Sequence, residues 1–150
     1  MILLRPARQD EAALLTELCL RSKAVWGYDQ AFMDACRADL TLSAETIRTC
    51  RVQVAELQGQ PAGIAQVSVD GTKADLDKLF IEPNFFRLGI GQALFSWAKE
   101  AAARAGAKML IIGANPGAAA FYRRLGAVDE GTVPSGSIPG RVIPRLIIIL

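Results

Sequence analysis

The sequence changes its period within one short stretch, and that change limits what the chain can become. In KADLDKLFIEP, residues 73–83, Ala74, Leu76, Lys78 and Phe80 alternate with Asp75, Asp77, Leu79 and Ile81, and Pro83 stops the run. A two-residue repeat ended by proline reads as a strand. From Gly89 onward Ile90, Ala93, Leu94, Trp97, Ala98 and Ala101 recur on one helical face, which Gly106 closes. At the seam, in NFFRLGIGQAL, stand Gly89 and Gly91. Glycine weakens helices and strands alike, so a pair here implies that something approaches bare backbone. A strand, a glycine turn and a helix leave unpaired amides at the helix start, a cradle suited to phosphate.

Upstream, residues 2–5 read as a short strand ended by Pro6. A helix from Gln9 to about Ala24 follows, with Asp10 and Glu11 suited to its N-terminus. SKAVWGYD interrupts the pattern at Gly27, a second helix spans Asp29 to Leu40, and a third begins at Ser43 as cap. Extended runs around Gly59, the hairpin signal Asp70-Gly71 and the run ending at Pro83 make an antiparallel meander of three strands. Met109 to Ile112 is a short apolar strand of the kind buried on both faces. A helix from Asn115 to Leu125, a strand near Ala127 to Thr132, the loop PSGSIPG and a closing strand to Leu150 complete the chain. No repeat or long linker divides the 150 residues, so one α/β (α+β) domain over 1–150 is expected.

Composition narrows the chemistry. The absence of histidine removes the commonest general base and every Ser-His or Cys-His pair. Cys19, Cys36 and Cys50 lack metal spacing and read as free thiols in a reducing cytoplasm, with no metal site. A net charge of +2 without a basic run argues against a nucleic-acid groove. The N-terminal apolar run stops at Arg5, and Leu146–Leu150 is too short to cross a bilayer. A soluble, cytoplasmic protein with no membrane or nucleic-acid partner is the expectation.

Three phosphate readings compete at the glycines. Gln92 stands where a P-loop needs lysine, and Leu94 where a dinucleotide fingerprint needs a third glycine. A lone Gly-x-Gly is also compatible with plain tight packing. A second string, NPGAAAFYRRLGA, places Asn115, Ala118, Phe121, Tyr122 and Gly126. Together with FIEPNFFRLGIGQAL it resembles the GNAT superfamily of acyl-CoA-dependent N-acetyltransferases. In that family a Gln/Arg-x-x-Gly-x-Gly/Ala loop binds the pyrophosphate of CoA, and Asn, Ala, Leu/Phe-Tyr and Gly-Phe follow at fixed spacing. Two places depart from it: Phe86 holds the Gln/Arg position, with Arg87 displaced by one, and Ala127 replaces the last aromatic residue.

The resemblance covers residues 79–127 by motif and the whole chain by element order. It implies a mixed, mostly antiparallel central sheet flanked by helices, acetyl-CoA as co-substrate, and direct transfer of acetyl to an amine in one ternary complex. Backbone at Leu79, Phe80 and Ile81 would hold the pantetheine arm. Arg87, Leu88, Gly89, Ile90, Gly91, Gln92 and Ala93 would surround the pyrophosphate, with Asn115 and Phe121 also on the cofactor. Tyr122 matches the tyrosine that assists the leaving thiolate. Without histidine, Asp77 and Glu82 are the candidate bases. Trp26, Tyr28, Asp29, Ser135, Ser137 and Arg141 are the candidate acceptor contacts, and a homodimer is compatible with the family. An acyl-CoA sensor without turnover, or a nucleotide-binding domain, remain the rival readings.

Overall fold

The structure, a computed structural model, describes every residue from Met1 to Leu150. Seven strands form one sheet in the order β1-β2-β3-β4-β5-β7-β6. They are β1 (Ile2–Pro6), β2 (Arg51–Leu57), β3 (Gln60–Asp70), β4 (Lys73–Ile81), β5 (Met109–Gly113), β6 (Val128–Pro134) and β7 (Val142–Ile149). All neighbours are antiparallel except β4 and β5. The helices are α1 (Ala12–Ala24), α2 (Gln30–Leu40), α3 (Ala44–Thr49), α4 (Ile90–Arg104) and α5 (Ala119–Arg124). No helix is long and apolar enough to cross a membrane.

Local chemistry sets the boundaries. The Asp29 carboxylate accepts from Phe32 N–H and starts α2, and Ser43 accepts from Thr46 N–H and starts α3. Two expected helices open as 3-10 turns, Gln9–Glu11 before α1 and Pro116–Ala118 before α5. Pro116 fits the tighter turn because it has no N–H to lose, and Asn115 Oδ1 accepts from Gly117 N–H to cap it. The strand expected to be buried on both faces is so only at Leu110 and Ile112; Met109 and Ile111 are partly covered.

Two layers bury the sheet. On one face Leu15 and Cys19 of α1, Leu40 of α2 and Ile47 of α3 pack on Val52, Val54 and Ile64. On the other, Phe95 and Ala98 of α4 and Tyr122 of α5 pack on Val67, Leu76, Leu110 and Leu146. The buried stripe of α4 runs through Ile90, Leu94, Phe95, Ala98 and Ala102, turned by about one residue from the expected face. Arg5 ties the first strand down, pairing with Glu11 at 2.6 Å and Glu56 at 2.7 Å. The Arg5 hydrogen bond, helped by the Arg8 N–H, holds the Glu11 carboxyl below the usual carboxylate range despite its burial. Cys19 and Cys36 are buried and Cys50 is half-buried, all three free; burial pushes the Cys19 thiol up to about 12.

One irregularity positions everything that follows. β4 and β5 pair only at Lys73–Met109, Ala74–Leu110 and Asp75–Ile111. Beyond Asp75 they part, β5 continues along β7, and β4 runs on with one edge uncovered. β3 and β4 shift register between Gln66 and Val67, where Asp77 is the extra residue on the β4 side.

Candidate active site

The fork between β4 and β5 opens into a groove of about 810 Å³, in the size range of small-molecule and cofactor sites. Glu82 N–H donates to Ala62 C=O at 2.8 Å, which fixes the alternation of the β3–β4 ladder. Phe80 and Lys78 therefore turn their backbone groups toward β3, and Leu79 and Ile81 turn theirs into the fork. Ile81 N–H donates to Ser22 Oγ at 3.2 Å; the open edge of Leu79 is available to an extended ligand.

Below the fork lies the start of α4. Its cap, Gly89, has φ 84° and supplies no side chain, and the first intrahelical bond runs from Ala93 N–H to Gly89 C=O. The amides of Ile90, Gly91 and Gln92 thus meet the groove without partners. The two glycines answer different needs. Gly89 adopts the left-handed backbone, and a Cβ there would stand in open space. A Cβ on Gly91 would meet the Phe121 ring at 3.2 Å, so its bareness lets α5 close on α4. Arg87, displaced from the expected cationic place, lines the groove and has φ 66°, an uncommon conformation for a side-chain-bearing residue.

Tyr122 reaches the groove from α5. Its ring is held among Phe95, with centroids 5.5 Å apart, and Phe121, 5.2 Å away and edge-on. Every sealed polar side-chain atom has a hydrogen-bond partner, and the Tyr122 hydroxyl has none in the protein, so it opens on the groove it lines. Burial raises its pKa well above the usual phenol range, which keeps the proton on oxygen throughout the physiological span.

Asp77, at the bulge, also lines the groove. Desolvation lifts its carboxyl above the ordinary carboxylate range, against the opposing pull of a 3.1 Å hydrogen bond from Ser68. Glu82 is placed elsewhere. Arg21 donates to both its oxygens at 2.8 and 2.6 Å, and Glu82 lines a smaller hollow between α1, the start of β3 and the turn after β4. Of the two expected bases, only Asp77 shares the groove with Tyr122.

The remaining candidates divide in the same way. Phe80, Ile81, Gln92, Asn115 and Phe121 line the groove, whereas Leu88 and Ala93 do not. Trp26, Ser135 and Ser137 line its far end. Tyr28 and Arg141 stand one layer behind it, and Asp29 is committed to capping α2. Five polar or charged lining residues were not anticipated: Ser22, Lys23, Asp39, Lys78 and Arg124. Asp39 accepts from Ser137 Oγ at 2.7 Å across 98 positions of sequence. A signal existed for it, because a carboxylate in the last turn of α2 opposes the helix dipole.

The chain matches the family model described as an acetyltransferase (GNAT) domain over residues 48–126. No curated protein matches it. Among solved structures, a GCN5-related N-acetyltransferase from Rhodopseudomonas palustris superposes with a TM-score of 0.81 at 23% identity, covering 99% of this chain and 95% of that one. A PaiA N-acetyltransferase from Thermoplasma acidophilum, in complex with coenzyme A, gives 0.80 at 15% identity over 100% and 99% of the two chains. The ribosomal-protein-S18-alanine N-acetyltransferase of Escherichia coli gives 0.71 at 17% identity over 99% and 94%.

Proposed function

Because this chain belongs to the GNAT acetyltransferase family, we propose that it moves an acetyl group from acetyl-CoA to an amine by direct attack within one ternary complex. The observation that carries this reading is convergence. An open strand edge, three unpartnered amides and a protonated phenol face a single groove. The residues fit the co-substrate: a Cβ-free cap at Gly89 and free N–H groups suit a diphosphate, and the uncovered edge of β4 suits an amide-bearing arm.

When bound, acetyl-CoA supplies a thioester whose sulfur departs as the amine attacks. The amides of Ile90, Gly91 and Gln92 hold the diphosphate, with Arg87 beside them. Leu79 N–H, aimed into the fork, orients and polarises the carbonyl. Tyr122 donates a hydrogen bond to the departing sulfur. A phenol near 10 facing a thiol near 8.5 makes full proton transfer uphill by roughly 2 kcal/mol from ordinary values. Donation to developing charge needs no such transfer.

Asp77 accepts the proton of the incoming ammonium, directly or through water. At pH 7 a lysine-like amine costs roughly 4–5 kcal/mol to deprotonate, which a carboxylate lifted by desolvation lessens. A base works in its ionised form, so activity rises with pH through the Asp77 pKa, above the ordinary range near 4. Asp77→Asn is expected to remove that ascending limb and lower kcat by roughly a hundredfold at neutral pH. The folded protein disfavours the ionised carboxyl, so its contribution to stability falls as pH rises through that pKa. The asparagine variant should therefore melt no lower than the parent at pH 7. A variant with an unaltered acid limb assigns the proton to another acceptor.

The decisive experiment is thiol release from acetyl-CoA across a panel of amines. Acceptor-dependent release is expected. Binding of CoA with no release by any amine would mean an acyl-CoA-binding module instead.

A further inference from the structure

Behind the far end of the groove, Tyr28 and Phe32 stack at 3.9 Å with planes 15° apart. Two cations flank that stack. Lys23 Nζ lies 6.0 and 5.9 Å from the two ring centres, and the Arg141 guanidinium carbon 5.6 and 5.0 Å. At these distances, near the outer limit of a cation–π contact, the rings compensate the two charges only weakly. Neither Lys23 nor Arg141 forms an ion pair. Asp29, adjacent in sequence, accepts from Phe32 N–H at 2.8 Å, and Asp39 accepts from Ser137 Oγ at 2.7 Å.

The phenol between them is short of an acceptor too. Tyr28 Oη receives hydrogen bonds from Asn115 Nδ2 at 2.9 Å and Arg141 Nη2 at 3.1 Å. Both lone pairs are engaged, so its own proton must point outward, and no protein atom takes it. Arg141 likewise has Nε and Nη1 unengaged. Two cations without an ion-pair partner and an outward hydroxyl surround one ring stack, and Lys23 and Asn115 bring the cluster to the groove wall.

We infer that the acceptor is an amine that also carries a carboxylate, and that Lys23, Arg141 and the Tyr28 hydroxyl hold this carboxylate while the amine faces Asp77. This rests on the transferase reading above. Arg141 is the anchor, since a guanidinium can present two parallel donors to a carboxylate.

The test uses matched triplets: glycine, leucine, phenylalanine and glutamate, each with its carboxamide and its decarboxylated amine. At fixed acetyl-CoA, the best acid should exceed its carboxamide in kcat/KM by roughly tenfold or more, mainly through KM. Arg141→Gln should shrink that preference to within about threefold, and Arg141→Lys should restore part of it. The coenzyme A thermal shift of both variants shows that they fold. Equal use of acid and carboxamide by the parent, or a preference untouched by Arg141→Gln, overturns the inference. If no compound in the panel releases thiol, the transferase reading is what has failed. The anion site is then judged separately, by titrating N-acetylglycine and N-acetylglycinamide against tryptophan fluorescence. Tighter binding of the acid, lost in Arg141→Gln, retains the site; indifference removes it.

Discussion

Tyr122→Phe is expected to lower kcat by roughly a hundredfold or more while the affinity for acetyl-CoA changes less than about threefold, because the binding contacts come from other residues. The ring stays and only the hydroxyl goes, so the packing with Phe95 and Phe121 survives. Stability should hold or rise slightly, since the lost oxygen has no protein partner and leaves none unpaired. Burial raises the phenol pKa, and the same dry surroundings raise that of a departing thiol. The gap between them need not widen, and a donated hydrogen bond strengthens where water is excluded. Single-turnover thiol release, set beside a binding titration, separates the two effects. Full turnover in the purified variant would take Tyr122 out of the mechanism.

Phe95→Ala is expected to cost about 3–5 kcal/mol, a large share of the roughly 5–15 that hold a domain together. Phe95 is 1% exposed and stands in the cluster joining α4, α5 and the sheet. Its loss leaves a cavity beside Tyr122, whose ring has Phe95 as one of its two aromatic supports. The melting midpoint should fall by on the order of 10 °C, and turnover should drop even well below that midpoint because the phenol loses its fixed direction. Urea unfolding measures the first effect and kcat at low temperature the second. A loss under about 1 kcal/mol would mean that the site repacks, and Phe95 would cease to be a support.

The order of elements was legible because the signals for it are local. Period two against period 3.6, Pro83 as a stop, Asp70-Gly71 as a turn, and Asp29 and Ser43 as caps all act over a few residues. The motif residues Gly89, Gly91, Asn115, Phe121 and Tyr122 all line one groove. What could not be read was pairing across distance. Glu82 looked as eligible as Asp77 until the fold set it against Arg21. Asp39 and Ser137 lie far apart in the chain and meet through tertiary packing alone. Phe95 was missed for a subtler reason, because an alanine-rich helix offers several apolar faces and only the sheet beneath it chooses one. The glycine pair looked like one device and is two: one admits a backbone conformation, the other an aromatic ring.

The three rungs between β4 and β5 leave the first four strands and the last three with little main-chain connection. Across that gap the halves are joined chiefly by grease, the side chains of Val67, Leu76, Leu110, Ile112 and Leu146 gathered under Phe95. The width of the slot is therefore governed by packing volume on one side of the sheet. A methyl group gained or lost there is felt in the groove, because Tyr122 packs in the same cluster.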